Sequence, residues 1–178
     1  MNQSVLLSIS GKDRAGIVRD VSEVLLHVKA NIEDSSMTVL RGRFTMMLIV
    51  ETPEDEGVGS LKAALAELEQ RTGLTVQSQV LADDEAEQIP QEPDCVITVN
   101  GADKAGIVFA VTDAMADLGV SVVDVSTRSR SSNDGDVYMM ALEAVAGDNI
   151  EALREKLKKV STSLSVSIEL HELDDGVM

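Results

Sequence analysis

The residue pattern with the clearest chemical potential is a glycine-bounded turn, GKDRAGIV, at residues 11–18. An alternating strand pattern precedes it and a helical pattern follows it, so the turn leads into a helix N-terminus. The first N–H groups of a helix have no intrahelical partner, and the positive end of the helix dipole lies there. The turn can therefore bind a carboxylate, and Gly16 would let a ligand approach the backbone closely.

Polar residues at the start of the next strand could supply the complementary chemistry. Asn31 and Asp34 carry side-chain oxygens that can accept hydrogen bonds from an ammonium group. A free amino acid has both a carboxylate and an ammonium group. The turn and the strand together predict a site for a small amino acid.

Each of these residues also has a purely structural interpretation. Asp13 could cap the helix through its side-chain oxygen, and Arg14 could be solvated. Gly16 could serve only to let the helix pack closely on the sheet. Asp34 could be a polar residue on an exposed strand face. The sequence leaves these alternatives open.

No catalytic or metal-binding motif accompanies the turn. The sequence has no G-x-S-x-G motif, no P-loop and no G-x-G-x-x-G motif. Cys95, His27 and His171 are its only cysteine and histidines, too few for a His/Cys zinc cluster. We interpret Cys95 as a small buried hydrophobic residue. We expect no catalytic residue, no metal and no cofactor, and hence a protein that is not an enzyme.

The turn occurs twice, which defines the domain organisation. GADKAGIV at residues 101–108 repeats the first turn at residues 11–18. LSVSIEL from Leu164 matches LTVQSQV from Leu74 at the same distance along the sequence. The segment between the copies is acidic and contains Pro90 and Pro93, which is typical of a linker and unfavourable for a helix. We predict one domain at residues 1–82, a linker at residues 83–94 and a second domain at residues 95–178.

Each copy shows the element order βαββαβ. Val5, Leu7 and Ile9 alternate as in a strand, and Ile17, Val18, Val21, Leu25 and Val28 form a helical apolar stripe. Further strands are predicted at residues 31–39 and 44–51, and at 121–128 and 138–143 in the second copy. Second helices are predicted at residues 61–71, capped by Ser60, and 150–160, capped by Asp148. The fold class is α+β, with two ferredoxin-like domains that each place two helices on one face of a four-stranded antiparallel sheet.

One strand indicates that the sheets have further partners. FTMMLIV at residues 44–50 is almost wholly apolar, and a strand that does not alternate is expected to be buried on both sides. A sister domain or a second chain would have to cover the face that the helices leave open. We therefore expect a homo-oligomer.

The charge balance restricts the partners. Lys and Arg number 15 and Asp and Glu 31, so the formal net charge is −16. Such a surface repels nucleic acid backbones and anionic lipid heads. The chain also has no apolar run of about 20 residues and no signal-peptide pattern. We expect a cytoplasmic protein with no direct nucleic acid and no membrane partner.

The quoted motifs resemble the ACT domain family of small-molecule-sensing regulatory modules. GKDRAGIV and GADKAGIV are similar to the family's turn into its first helix, and ANIEDSSM to its second strand. The tandem arrangement resembles a family of glycine cleavage system repressors. The resemblance implies the following ligand-binding residues: Asp13, Arg14, Ala15, Gly16, Ile17, Val18, Asn31, Ile32, Asp34, Asp103, Lys104, Ala105, Gly106, Ile107, Val108 and Asp124.

Two departures from the family pattern affect these expectations. Ala15 and Ala105 stand where the family has proline, which loosens the turn without removing it. Ser121 stands where the first copy has Asn31, so the second copy is expected to bind ligand less well. The resemblance implies a sensor of a small, glycine-like amino acid that acts on a protein partner such as a transcription factor. An interaction module without ligand and an accessory subunit of a metabolic enzyme are the alternatives.

Overall fold

The structure, a computed structural model, describes residues 2–53, 57–89, 91–102, 105–132 and 135–173. The chain divides into two compact units, Met1–Gln88 and Ile89–Met178. Both contain the element order βαββαβ. In the described residues, no helix is both long enough and apolar enough to cross a membrane.

The first unit is a four-stranded antiparallel sheet with the strand order β2-β3-β1-β4. Its elements are β1 (Gln3–Lys12), α1 (Ile17–His27), β2 (Asn31–Leu40), β3 (Arg43–Thr52), α2 (Gly57–Thr72), β4 (Thr75–Val80) and a short α3 (Asp83–Ala86). Val5, Leu7 and Ile9 point to one face of β1 and are fully buried. The apolar sides of α1 and α2 join these residues in a single core, so both helices cover that face.

The second unit repeats this plan with the strand order β6-β7-β5-β8. Its elements are β5 (Cys95–Ala102), α4 (Ile107–Ala116), β6 (Ser121–Ser132), β7 (Gly135–Val145), α5 (Ile150–Leu164) and β8 (Ser167–Glu172). Its core is aliphatic apart from Cys95 and Tyr138. The prediction of two ferredoxin-like α+β domains is confirmed.

A glycine in the first strand of each unit accommodates the residue that precedes the last strand. A Cβ atom on Gly11 would lie 2.5 Å from Leu74 Cδ2, and one on Gly101 would lie 2.7 Å from Val166 Cγ1. Leu74 therefore corresponds to Val166, so its alignment with Leu164 was wrong by two residues. The β6–β7 hairpin is longer than the β2–β3 hairpin, and one constant offset cannot hold across it.

The apolar third strand alternates in burial although it does not alternate in sequence. Its helix-facing residues are buried, namely Phe44, Met46, Leu48 and Val50. Met47 points to the other face and is 48% exposed. Within the unit α1 and α2 cover one face only, so burial of the other face would need a sister domain or a second chain and stays a prediction.

The second helix of each unit starts differently from its prediction. α2 begins at Gly57, so Ser60 lies inside the helix. α5 has Asn149 as N-cap, and Asp148 lies in the preceding 3₁₀ turn, with no side-chain capping hydrogen bond at either residue. Instead, the Asp94 carboxylate accepts hydrogen bonds from the backbone N–H groups before this helix, Ala146 at 2.8 Å and Gly147 at 2.6 Å.

The segment predicted to be a linker contains local structure. The helix α3 occupies Asp83–Ala86, where the sequence was expected to resist helix formation. The Glu85 carboxylate accepts a hydrogen bond from the N–H of Ala82 at 3.0 Å. Acidic residues are favourable in the first turn of a helix, which explains why this acidic stretch forms one.

Candidate functional site

The two turns have the same backbone geometry. Gly16 is the N-cap of α1 with φ 87°, and Gly106 is the N-cap of α4 with φ 93°. These are left-handed conformations that glycine adopts without strain. In the part of the chain that the structure describes, neither N-cap makes a side-chain hydrogen bond to the first-turn N–H groups.

Glycine is required here by the backbone and not by close helix–sheet packing. A Cβ atom on Gly106 would meet nothing within 4 Å. On Gly16 it would meet the guanidinium groups of Arg19, at 3.6 Å, and Arg14, at 3.8 Å. The packing interpretation is therefore wrong for both turns, and in the first unit two cations converge on the turn.

Asp13 does not cap α1. Its backbone N–H donates to the carbonyl of Gly42 at 2.9 Å, which joins the turn to the β2–β3 hairpin. The corresponding Asp103 and its neighbour Lys104 lie outside the described residues. Ala15 and Ala105 are exposed. The turn therefore leaves the start of the helix open to solvent.

Arg14 is exposed, as the interpretation of a solvated side chain expected, and its guanidinium group also forms an ion pair. Its Nη2 atom donates to Asp20 Oδ2 at 2.6 Å, and Arg19 Nη2 donates to Asp20 Oδ1 at 2.8 Å. Asp20 is one of the two buried polar residues of the described core, with 7% of its surface exposed. Hydrogen bonds from Arg19 and Arg14 hold the pKa of the Asp20 carboxyl below its usual value.

Sequence reasoning missed Asp20 and Arg19. Asp20 occupies the first turn of α1, and its neighbour Arg19 is 80% exposed along the side chain. An acidic residue beside an arginine in a first helical turn was the available signal. The cluster of Arg14, Arg19 and Asp20 has a net positive charge beside a helix N-terminus, which is suited to a carboxylate ligand.

The second turn is chemically different. Phe109 and Ala110 stand at the positions of Arg19 and Asp20, and Phe109 is 72% exposed. A shallow cavity of about 510 Å³ adjoins the turn and is lined by Gly106, Ile107, Val108, Phe109, Thr112 and Tyr138. Three predicted site residues are therefore at this cavity. Ile107 also packs into the core, as Ile17 does in the first unit.

The predicted strand residues lie around a β-bulge. The pairing of β2 with β3 shifts between Ile32 and Asp34, and β6 has the same shift between Val122 and Asp124. Asn31 and Asp34 lie on the open face of the sheet, whereas Ile32 faces the helices. The Asp34 carboxylate accepts a hydrogen bond from the N–H of Ser35 at 2.7 Å. Asp34 also lines a shallow depression of about 200 Å³ with Leu6 and Met47.

One unit does not bring its turn and its strand residues together. Asn31 pairs with Glu51, which pairs with Ser4 near the start of β1, whereas the turn follows Lys12 at the end of β1. Eight residues of strand separate Ser4 from Lys12, which is about 26 Å. Asn31 and Asp34 of one unit therefore cannot contact a small ligand that is bound at the turn of the same unit.

Cys95 has the structural role that its sequence suggested. It is fully buried at the start of β5, and burial raises the pKa of its thiol to about 11. A thiol with such a pKa is a poor nucleophile at neutral pH. In the described residues, no group of three or more His, Cys, Asp or Glu side chains could hold a metal ion.

Known proteins of similar sequence identify the family of both units. Family models of the ACT domain match residues 3–79 and residues 96–162. A UPF0237 protein of Methanopyrus kandleri is 42% identical over 72 residues, which cover 40% of this chain and 80% of that protein. A Lactococcus lactis UPF0237 protein is 32% identical over 74 residues, covering 42% and 84%.

Two solved structures resemble this chain over nearly its whole length. An unknown protein from Galdieria sulphuraria has a TM-score of 0.78 at 27% identity, covering 97% of this chain and 99% of that one. A protein provisionally named a glycine cleavage system transcriptional repressor has a TM-score of 0.73 at 21% identity, covering 97% and 98%. The matched family models cover most of both units, and the chain belongs to the ACT domain family with two ACT domains in tandem.

Proposed function

We propose that this chain is a regulatory protein that senses a small amino acid and transmits the bound state to a protein partner. The observation that carries the proposal is the turn before α1. Its backbone turns at a left-handed Gly16, two guanidinium groups converge on it, and no side chain caps the helix. A ligand carboxylate would find hydrogen-bond donors and positive charge there.

The ammonium group of the ligand needs acceptors from elsewhere. Asn31 and Asp34 are suitable, but along the sheet they lie about 26 Å and about 20 Å from the end of β1 that leads into the turn of their own unit. The proposed site therefore combines a turn with the start of a second strand from an adjacent ACT copy. A ligand that bridges two copies would favour one relative position of the two domains. Binding could thus control a partner without catalysing a reaction.

The partner in this proposal is a protein such as a transcription factor. A formal net charge of −16 opposes direct contact with DNA. The shared fold with the protein provisionally named a glycine cleavage system transcriptional repressor supports a role in transcription and glycine as the first ligand to test.

The proposal is tested by a thermal-shift screen of the twenty amino acids. A ligand at 100 times its Kd should add about 2.7 kcal/mol to the free energy of unfolding. For a protein of this size the expected rise in Tm is about 5 to 10 °C. If no amino acid at millimolar concentration changes the Tm or gives heat in calorimetry, the chain is better described as an interaction module or an accessory subunit.

A pair of substitutions tests the role of the strand. Asn31→Ala should weaken binding of the identified amino acid by about tenfold, while an exposed side chain should cost under about 1 kcal/mol of stability. Ser121→Ala is the matched control in the second unit and should have the smaller effect on binding. Equal losses of affinity from the two substitutions, measured by calorimetry, would contradict the assignment of Asn31.

A further inference from the structure

A groove runs between the two helices of the first unit, at the opposite end of α1 from the Gly16 turn. We call it the α1–α2 groove; it has a volume of about 580 Å³, within the range of small-ligand sites. Its apolar floor is formed by the half-buried Val24 and Val28 above the fully buried Leu68, and its rim carries Glu23, Glu67 and Arg71. The proposed amino acid site does not include this groove, whose floor is the outer surface of the first unit's core.

The second unit shows what chemistry occupies the equivalent position. The buried Leu61 and Leu65 of α2 correspond to Leu153 and Leu157 of α5, which places Lys156 at the position of Ala64. Lys156 Nζ donates to Asp117 Oδ2 at 2.7 Å, and the lysine side chain is only 35% exposed. The second unit therefore places a lysine side chain between its own helices, with its stem packed and its ammonium group paired.

Asp117 in turn corresponds to a residue of α1 in the first unit. Leu25 of α1 and Met115 of α4 are equivalent core residues, so Asp117 stands at the position of His27. The first unit thus has neither the lysine nor its carboxylate partner at these two positions. Ala64 and His27 both line the α1–α2 groove, which remains open between them.

Charge in the α1–α2 groove favours a cation. Arg71 Nη2 lies 4.0 Å from Glu23 Oε2, at the limit of an ion pair. Glu67 stands where the second unit has Lys159, and among the described residues no salt bridge to Glu67 is found. Two carboxylates thus line the groove with one arginine and His27, and the negative end of the α1 dipole is at the same end of the helix.

We propose that the α1–α2 groove binds an alkylammonium group, carried either by a small amine or by a lysine side chain of another protein. The aliphatic part lies on the half-buried Val24 and Val28, and the ammonium group lies against the carboxylates of Glu67 and Glu23. This site is separate from the proposed amino acid site, so either can fail without the other.

The test is a titration of the ¹⁵N-labelled full chain with butylammonium chloride, followed by NMR at constant ionic strength. Saturable shifts of the amide signals of Val24, Val28 and Ala64 are expected. Butanol and sodium butyrate, which match the alkyl chain without the cation, should not give saturable shifts. Equal effects of butanol or butyrate, or no saturation with the amine, would overturn the proposal.

Three variants locate the site. Ala64→Lys installs the lysine of the second unit and should lower the affinity for butylammonium at least tenfold. Ala66→Lys adds the same charge at an exposed position of the same helix and should leave the affinity within about twofold. Glu67→Gln should weaken binding several-fold. Unchanged affinity in Ala64→Lys, or an equal loss in Ala66→Lys, would contradict the assignment.

A second probe identifies the source of the group. Nα-acetyl-lysine methylamide carries the lysine side chain on a neutral backbone, as in a partner protein. If it binds at least as tightly as butylammonium, with the same loss in Ala64→Lys, the natural occupant is a lysine side chain. If it binds at least tenfold more weakly, the occupant is a small amine.

Discussion

Among single residues, the Asp20 carboxylate has the largest effect on the candidate site. It accepts hydrogen bonds from Arg14 and Arg19 and so holds both guanidinium groups beside Gly16. A buried carboxylate without such partners would be costly, so the three residues depend on one another. The second turn has Phe109 and Ala110 at two of these positions, and its surroundings are correspondingly apolar.

The lowered pKa of Asp20 predicts how stability depends on pH. An aspartate that is protonated less readily in the folded state stabilises the fold above its unfolded pKa of about 3.9. That contribution is lost as the pH falls through the lower, folded pKa. Asp20→Asn should therefore lower the Tm at pH 7, and the difference from the unsubstituted chain should shrink below about pH 4.

Thermal unfolding between pH 2.5 and pH 7 measures this difference. Asp13→Asn is the matched control, because the Asp13 side chain is exposed at the same turn. It should have little effect on the Tm across this range. A Tm difference for Asp20→Asn that stays constant down to pH 2.5 would show that the ion pairs are not its cause.

The sequence predicted the position of the turns better than their contacts. Gly16 and Gly106 were recognised because a glycine between a strand and a helix leaves few alternatives. The pairing of Arg14 with Asp20 depends on the path of the turn, and the separation of Asn31 from the turn depends on which ends of the strands meet. Neither property is a local feature of the sequence.

At the scale of elements, a glycine of the first strand in each unit leaves room for the residue that leads into the last strand. Both Gly11 and Gly101 contact the residue that leads into the last strand, but the neighbours differ in stiffness. The nearest atom to Gly11 is the terminal Cδ2 of Leu74, which can rotate away. Gly101 faces the β-branched Val166, whose Cβ would lie 3.0 Å and whose Cα would lie 3.3 Å from an added Cβ.

This difference predicts unequal effects of the same substitution. Gly101→Ala should lower the free energy of unfolding by about 1–3 kcal/mol, the usual cost of overpacking. Gly11→Ala should cost less, because the Leu74 side chain can adopt another rotamer. Urea unfolding of the two variants gives the comparison. An equal or larger loss for Gly11→Ala would indicate that Leu74 is held as firmly as Val166.

The elements also show where reasoning from an internal repeat stops being reliable. The order βαββαβ and most core positions of β1 and α1 could be read from alternation and helical spacing in both copies, but Val18 of the predicted apolar stripe and its counterpart Val108 are exposed. The last strands could not be aligned, because the hairpin inside the second copy is longer than the hairpin inside the first. Asp148 illustrates a similar limit, since the distant Asp94 binds the N–H groups that a local cap was expected to satisfy.

At the scale of the whole molecule, exposed apolar surface on the sheets favours association. Every residue of the edge strand β2 is exposed, including Met37, Val39 and Leu40. An edge strand of this kind has unpaired backbone groups and can pair with another chain. The open face of the sheet beside it carries the exposed Met47. Soluble monomers seldom expose large contiguous apolar patches.

We therefore predict that the chain is a dimer or larger in solution, because the amino acid site needs a strand that its own unit cannot supply and because these surfaces are apolar. Light scattering at micromolar concentration should give at least twice the 19.0 kDa of one chain.

Met47→Glu should shift the mass towards one chain, since a carboxylate on the open face would be desolvated by a partner. Leu26→Glu is the matched control, because Leu26 is 78% exposed on α1, away from the sheet, and should leave the mass unchanged. A mass of one chain for the unsubstituted protein, with and without glycine, would confine any pairing of ACT copies to a single chain.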